Sequence, residues 1–178
     1  IYLHLLAGRL KKYEVDMLNK YDAIASITEL DINVFKKLGC TIPIEHVPFG
    51  ILIANYELQQ TDIETPSIFH IGAMDWKPNE EAIKWFLKKI WPSIHIQFPN
   101  LNLYLAGKNM PSWLSELKMA NVIVKGEVND ALAFMNSKSI MIVPLQSGGG
   151  MRIKIIEGMA LSKTIISTSI GAEGIACD

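Results

Sequence analysis

The chain has only two cysteines, Cys40 and Cys177, too far apart in sequence for a zinc or thiol-redox spacing. They read as buried or incidental thiols in a reducing, cytoplasmic compartment. Neither sign of charge is in excess. Lysines and arginines number 17 against 18 acids, for a formal charge of -1, where a dedicated nucleic-acid binder would carry a basic surplus. No apolar run nears the ~18 residues a membrane helix requires, and no signal-peptide pattern is visible. His4, His46, His70 and His95 fall at no metal-ligand spacing. Transmembrane, secreted disulfide-rich and fibrous classes are therefore not expected, and neither is a metal or a cofactor.

Hydrophobic residues make up 49% of the 178 residues and charged ones 20%, enough to bury a core. The length suits one domain or a little more. The chain opens at Ile1-Tyr2-Leu3-His4-Leu5-Leu6 inside a helical pattern and without methionine. It ends at Ala176-Cys177-Asp178 after a glycine-rich turn, so it reads as a piece of a longer protein.

Leu3, Leu6, Leu10, Met17 and Leu18 recur at helical spacing. A short strand is expected over 21–27, then a helix capped by Thr28 and stopped by Gly39. Residues 42–50 hold Pro43, Pro48 and Gly50 and read as a linker, dividing the chain into 1–46 and 47–178. From Pro66 onward strands and helices alternate. Strands are predicted near 67–71, 101–105, 122–124, 140–144 and 164–167, with helices over 80–90, 130–135 and 151–161. Continuous apolar strands alternating with helices predict a doubly wound parallel α/β sheet. Ligands of such sheets bind beyond the carboxyl ends of the strands.

The strongest chemical signal is Val143-Pro144-Leu145-Gln146-Ser147-Gly148-Gly149-Gly150-Met151-Arg152-Ile153-Lys154-Ile155-Ile156-Glu157. Here a strand ends, three glycines admit close backbone approach, and a helix begins with free N–H groups that attract anions. Arg152 and Lys154 would lie in the first turn, against the helix dipole, which suggests an anion. The plainer alternative is a glycine turn with a surface Lys154–Glu157 pair worth well under ~1 kcal/mol. A P-loop is excluded because Met151 and Arg152 follow the glycines. The dinucleotide fingerprint is excluded because Ile153 stands where its last glycine belongs.

From about Pro66 to Ile175 these residues resemble the donor-binding domain of the group 1 (family four) GT-B glycosyltransferases. The landmarks are Phe69-His70-Ile71-Gly72-Ala73-Met74-Asp75-Trp76-Lys77-Pro78-Asn79, Tyr104-Leu105-Ala106-Gly107, Val124-Lys125-Gly126-Glu127-Val128, the block from Gly148 to Ala160, and Ile165 to Ile175. Residues 22–27 and 47–51 resemble the end of that family's N-terminal, acceptor-side domain. The resemblance implies sugar transfer from a nucleotide-diphosphate sugar to a glycan or lipid acceptor, with retained configuration and no obligatory metal. It also implies a cytoplasmic setting, polysaccharide biosynthesis, and peripheral membrane contact through sequence outside the chain.

Residue by residue, it implies that Glu157 receives the ribose hydroxyls, that Gly148, Gly149 and Gly150 lie against phosphate and sugar, and that Gly72 belongs with the residues of the base region. Lys125, Gly126, Glu127 and Val128 would receive the base, although an ordinary strand exit explains them equally well. Glu173 would face the donor or solvent. The family's first glutamate, eight positions before Glu157, falls at Gly149 and is absent. The first glycine loop has Lys77 as its only cation, so Arg152 and Lys154 are inferred to neutralise the departing diphosphate. Trp76 sits beside the expected crevice, His70 reads as packed, and Trp85 and Trp91 read as core or interdomain surface. On this reading the fragment binds nucleotide weakly and turns over little. A non-catalytic nucleotide- or sugar-phosphate-binding module and a nucleotide-sugar epimerase remain as alternatives.

Overall fold

The computed structural model describes residues 2–56 and 62–175. Ile1, Cys177 and the closing residues 176–178 lie outside them. The described residues fall into two units that part between Gly50 and Ile51.

The first unit holds α1 (Tyr2–Met17), β1 (Ile24–Ser26), α2 (Glu29–Lys37) and β2 (Ile44–His46). Thr28 caps α2 as expected: its hydroxyl accepts the Asp31 N–H at 3.1 Å, and Gly39 ends the segment at φ 94°. Part of the segment read as linker is instead β2, which pairs in parallel with β1. Pro43 and Pro48 do not prevent this, because both stand outside the paired span. Ile24 donates to the Pro43 carbonyl at 2.9 Å and Val47 to Ser26 at 2.8 Å, so no proline N–H is needed.

The second unit begins with a 3-10 turn at Ile53–Tyr56. It continues through β3 (Glu64–Ile71), α3 (Lys77–Lys89), α4 (Trp91–Gln97), β4 (Asn102–Ala106), α5 (Ser112–Ser115) and β5 (Val122–Gly126). The remaining elements are α6 (Ala131–Asn136), β6 (Lys138–Val143), α7 (Ile153–Ala160) and β7 (Thr164–Ser167). The five strands form one parallel sheet in the order β5-β4-β3-β6-β7. The chain thus moves outward from β3 on one side and then returns to β6 on the other. The crevice where the order reverses lies between the loops leaving β3 and β6.

Period-two alternation along the strands feeds a core on each face. Ile68, Leu103, Leu105 and Ile142 pack with Ile83, Phe86, Leu87 and Trp91. Phe69, Tyr104, Met141 and Val143 pack with Met135, Ile155 and Leu161 on the other face. Trp91 is therefore core, as the sequence predicts, and Trp85 is packed against it.

At the amino end of the sheet the Glu64 carboxylate receives Tyr104 Oη at 2.6 Å, Lys138 Nζ at 2.7 Å and Asn102 Nδ2 at 3.2 Å. The ammonium also stands 4.0 Å from the Tyr104 ring centroid. Burial pushes the Glu64 carboxyl up, but the hydrogen bonds from Lys138, Tyr104 and Asn102 outweigh it and hold its pKa at about 2. A depressed carboxyl contributes stability that is complete above its unfolded pKa, near 4.5, and is lost as pH falls from there toward 2. Because Glu64 is about a third exposed, we expect Glu64→Gln to cost only about 1–2 kcal/mol at pH 7. In urea titrations at pH 7 and pH 3 the variant should lose less stability between the two values than the parent. Equal losses would show that the network does not set the acid limb.

Candidate functional site

The loop leaving β6 reaches α7 through two left-handed glycines, Gly148 at φ 105° and Gly150 at φ 86°. These conformations cost glycine little, and they turn the Gly149 and Gly150 carbonyls onto one guanidinium nitrogen. Arg152 Nη1 donates to them at 2.6 and 2.5 Å. The helix begins at Ile153, two residues later than the sequence suggests. Arg152 is therefore the N-cap residue, in extended conformation, and of the two cations only Lys154 sits in the first turn against the dipole. The Arg152 side chain doubles back over Trp76, with its guanidinium carbon 5.1 Å from the ring centroid. Arg152 is only 7% exposed, yet its Nε and Nη2 have no partner among the described residues.

Lys154 does not form the surface pair with Glu157 that helical spacing allows. Its Nζ turns inward to the end of β3, donating to the Ile71 carbonyl at 3.0 Å and to Asn79 Oδ1 at 3.2 Å. Burial, and then the neighbouring Arg152 charge, lower its pKa to about 8. Within electrostatic reach of Lys154 is His70, fully buried, whose Nδ1 lies 3.0 Å from the Ile142 carbonyl and so donates to it. Burial, then the Lys154 charge, drive the His70 pKa well below its usual value, so the ring stays neutral. His70 is packed, as expected. Among the described residues no carboxylate pairs with either Arg152 or Lys154. A buried guanidinium and a half-buried ammonium thus lie side by side without a counter-ion among the described residues.

Gly72 connects this cation pair to a crevice. A Cβ on it would lie 2.7 Å from Asn79 Nδ2 and 2.9 Å from Lys154 Nζ. The crevice, of about 240 Å³, opens beyond β3, β4 and β5 and is lined by Ile71, Gly72, Gly107, Lys108, Glu127 and Val128, among others. Glu127 pairs with Lys108 at 3.3 Å, both exposed. Gly126 takes a left-handed turn at φ 70°, and its carbonyl accepts the Gly107 N–H at 2.8 Å. Lys125 does not join the lining; its ammonium lies 5.9 Å from the Tyr104 ring centroid.

Glu157 stands one turn along α7, where its Oε1 accepts the Tyr56 hydroxyl at 3.0 Å. Gly149 faces open space, and a Cβ there would meet nothing. Glu173 lies in the turn after β7, with no ion pair among the described residues. Thr168 ties that turn to the exit of β6, donating to the Leu145 carbonyl at 2.5 Å and accepting the Gly171 N–H at 3.0 Å. The structure therefore brings together Arg152, Lys154, Gly148, Gly150 and Trp76, and through Gly72 links them to Glu127 and Val128. Asn79 and Tyr56 are additions that the sequence reading did not single out.

Residues 65–177, well over half the chain, match the family model for Glycosyl transferases group 1. The chain belongs to that family. A relative from Klebsiella pneumoniae, described as an uncharacterized 44.6 kDa protein in the cps region, is 23% identical over 182 residues. That match takes in 97% of this chain but 45% of the relative, so the chain spans a little under half of that relative's length.

Solved glycosyltransferase structures share the fold at low identity. TarM superposes with a TM-score of 0.71 at 13% identity, over 88% of this chain and 31% of its own. The pneumococcal O-GlcNAc transferase GtfA, solved with UDP and GlcNAc, gives 0.70 at 15%, over 89% and 32%. Anabaena HepE, solved with UDP and glucose, gives 0.64 at 14%, over 88% and 47%. The doubly wound α/β sheet of this group 1 member is thus a Rossmann-like domain of the GT-B glycosyltransferase type.

Proposed function

We propose that this chain is the donor-binding part of a retaining, metal-independent glycosyltransferase that uses a nucleoside-diphosphate sugar. The observation that carries this reading is the buried Arg152 guanidinium, with two orphaned donors, beside the half-buried Lys154 ammonium at the switch point of the sheet, neither with a counter-ion among the described residues. A diphosphate would satisfy both. As the bond between sugar and phosphate breaks, negative charge grows on the departing diphosphate. Arg152, Lys154 and the amino end of α7 would stabilise that charge in a site already arranged for it. These side chains supply the positive charge that the departure demands, which is why the reading calls for no metal.

The base would enter the crevice beside Glu127 and Val128, and Glu157 would accept the ribose hydroxyls, a geometry suited to a carboxylate. The GtfA and HepE structures were solved with UDP, which supports a nucleotide as the ligand of this fold. The acceptor, a glycan or lipid, and any acid or base would come from the rest of a protein resembling the longer relative. On this reading the chain alone binds nucleotide and turns over little or nothing. The same reading places the protein in the cytoplasm, in polysaccharide biosynthesis, with any peripheral membrane contact made outside this chain. Among the described residues no helix is long and apolar enough to cross a membrane.

Calorimetric titration with UDP, GDP and ADP tests the proposal. One diphosphate is expected to bind selectively, and Lys154→Ala and Glu157→Ala should each weaken it at least tenfold. Affinity should also fall as pH rises above about 8, because free Lys154 then loses its proton whereas a bound diphosphate would retain it. Unchanged affinity in both variants would sink the site assignment. A non-catalytic binding module draws support from Gly149, which lacks the family carboxylate. Transfer or hydrolysis of donor sugar by the full-length protein would decide against it.

A further inference from the structure

Asn79 is the third residue of α3 and is only 4% exposed. Its one amide joins three elements. Nδ2 donates to the Ala73 carbonyl in the loop leaving β3 at 2.9 Å. Oδ1 accepts the Lys154 ammonium from α7 at 3.2 Å, and the backbone N–H donates to Trp76 at 2.9 Å. Gly72 has no side chain where these groups converge, and a Cβ there would lie 2.7 Å from Nδ2.

Among the described residues, the groups that meet Lys154 are neutral or positive. The Ile71 carbonyl and the Asn79 amide accept from it, neutral His70 lies within electrostatic reach, and Arg152 repels it. An ammonium has three donors, and two are used here, so one remains. A carboxylate at position 79 would also hold the ammonium, but it would cancel its charge. An apolar residue would spare the charge and lose the hold. The amide does neither.

We propose that Asn79 is a positioning residue of this site, aiming the Lys154 ammonium at the anion position while leaving its charge free for a diphosphate. This rests on the donor-binding reading above. The amide would also fix the loop after β3 through Ala73, so that the phosphate side and the crevice keep one spacing.

The test compares Asn79→Asp with Asn79→Leu in the 178-residue chain. The readouts are Lys154 titration by NMR of 13C-labelled lysine, and affinities for UDP, GDP and ADP against the parent nucleosides. Asn79→Asp should raise the Lys154 midpoint by at least one pH unit, and Asn79→Leu should lower it. For the diphosphate that binds, Asn79→Asp should weaken affinity at least tenfold at pH 7 and change nucleoside affinity less than twofold.

A merely structural role would move both midpoints the same way and weaken diphosphate and nucleoside together. Either result, or an Asn79→Asp midpoint that does not move, overturns the proposal. A parent chain that binds none of the three diphosphates while the two midpoints still move apart overturns the functional reading, and the proposal with it. Should Asn79→Asp fail to fold, a Lys154 midpoint unmoved in Asn79→Leu still overturns it.

Discussion

Arg152→Met is expected to weaken nucleoside-diphosphate binding about a hundredfold while leaving folding stability within about 1 kcal/mol of the parent. The guanidinium is buried, Nε and Nη2 lack partners, and no carboxylate answers its charge among the described residues. Holding an unpaired charge in such a place costs stability, and methionine removes that cost while keeping an unbranched stem to lie against Trp76. What methionine loses is the pair of hydrogen bonds to the Gly149 and Gly150 carbonyls. Both glycines are exposed, so water can take over as donor and the net loss is small.

In the complex the balance reverses. A guanidinium binds phosphate through two parallel N–H bonds, and losing such a contact costs about 2–3 kcal/mol, close to two decades in affinity. Arg152→Lys should recover only part of it, because an ammonium keeps the charge without the fork. Calorimetry and urea unfolding on the same samples provide the check. If stability and affinity fell together, Arg152 would be a clasp for the glycine loop rather than an anion-binding residue.

The strands legible almost to the residue are β7, whose apolar run is bounded by Lys163 and Thr168, and β4, displaced by one position, whereas β6 begins two residues before the apolar run that Pro144 closes. β3 begins at Glu64 rather than Ser67. Its first residues carry no alternating pattern, and Glu64 belongs there because of partners on β4 and β6, which local spacing does not reveal. The helix α4 is hidden by Pro92, which reads as a breaker, although it stands in the first turn, where no intrahelical N–H is required.

The site divides in the same way. Gly148 to Lys154 is legible because close approach, helix start and positive charge coincide within a few residues. The direction of Lys154 is not, since the spacing rule points it at Glu157, while two acceptors around the end of β3 draw it inward. Tyr56 and Asn79 meet the site across 101 and 75 positions of sequence, and no local pattern marks a contact of that range.

Gly107→Ala is expected to destabilise the second unit by at least about 3 kcal/mol, lowering its melting temperature by about 10 °C. Gly107 closes β4 at φ 148°, a conformation that an L side chain rarely takes, and a Cβ there would run into the Gly72 carbonyl oxygen. Neither backbone can step aside alone. Gly72 donates to the Ala106 carbonyl at 3.0 Å and Gly107 to Gly126 at 2.8 Å, so the exits of β3, β4 and β5 are laced together.

A shift at one exit must carry the others and reach both the crevice that Gly107 and Gly72 line and the Lys154 ammonium beside Gly72. Nucleoside affinity in the fraction that still folds should therefore fall as well. Gly149→Ala is the matched control: the same methyl group would meet nothing, at an ordinary φ, and restricting the unfolded chain should make it neutral or slightly stabilising. Thermal melts of the two variants separate steric collision from loss of glycine as such. A Gly107→Ala chain melting within about 2 °C of the parent would mean that the strand exits can part without cost, and that the crevice is not held at a fixed width by this crossing.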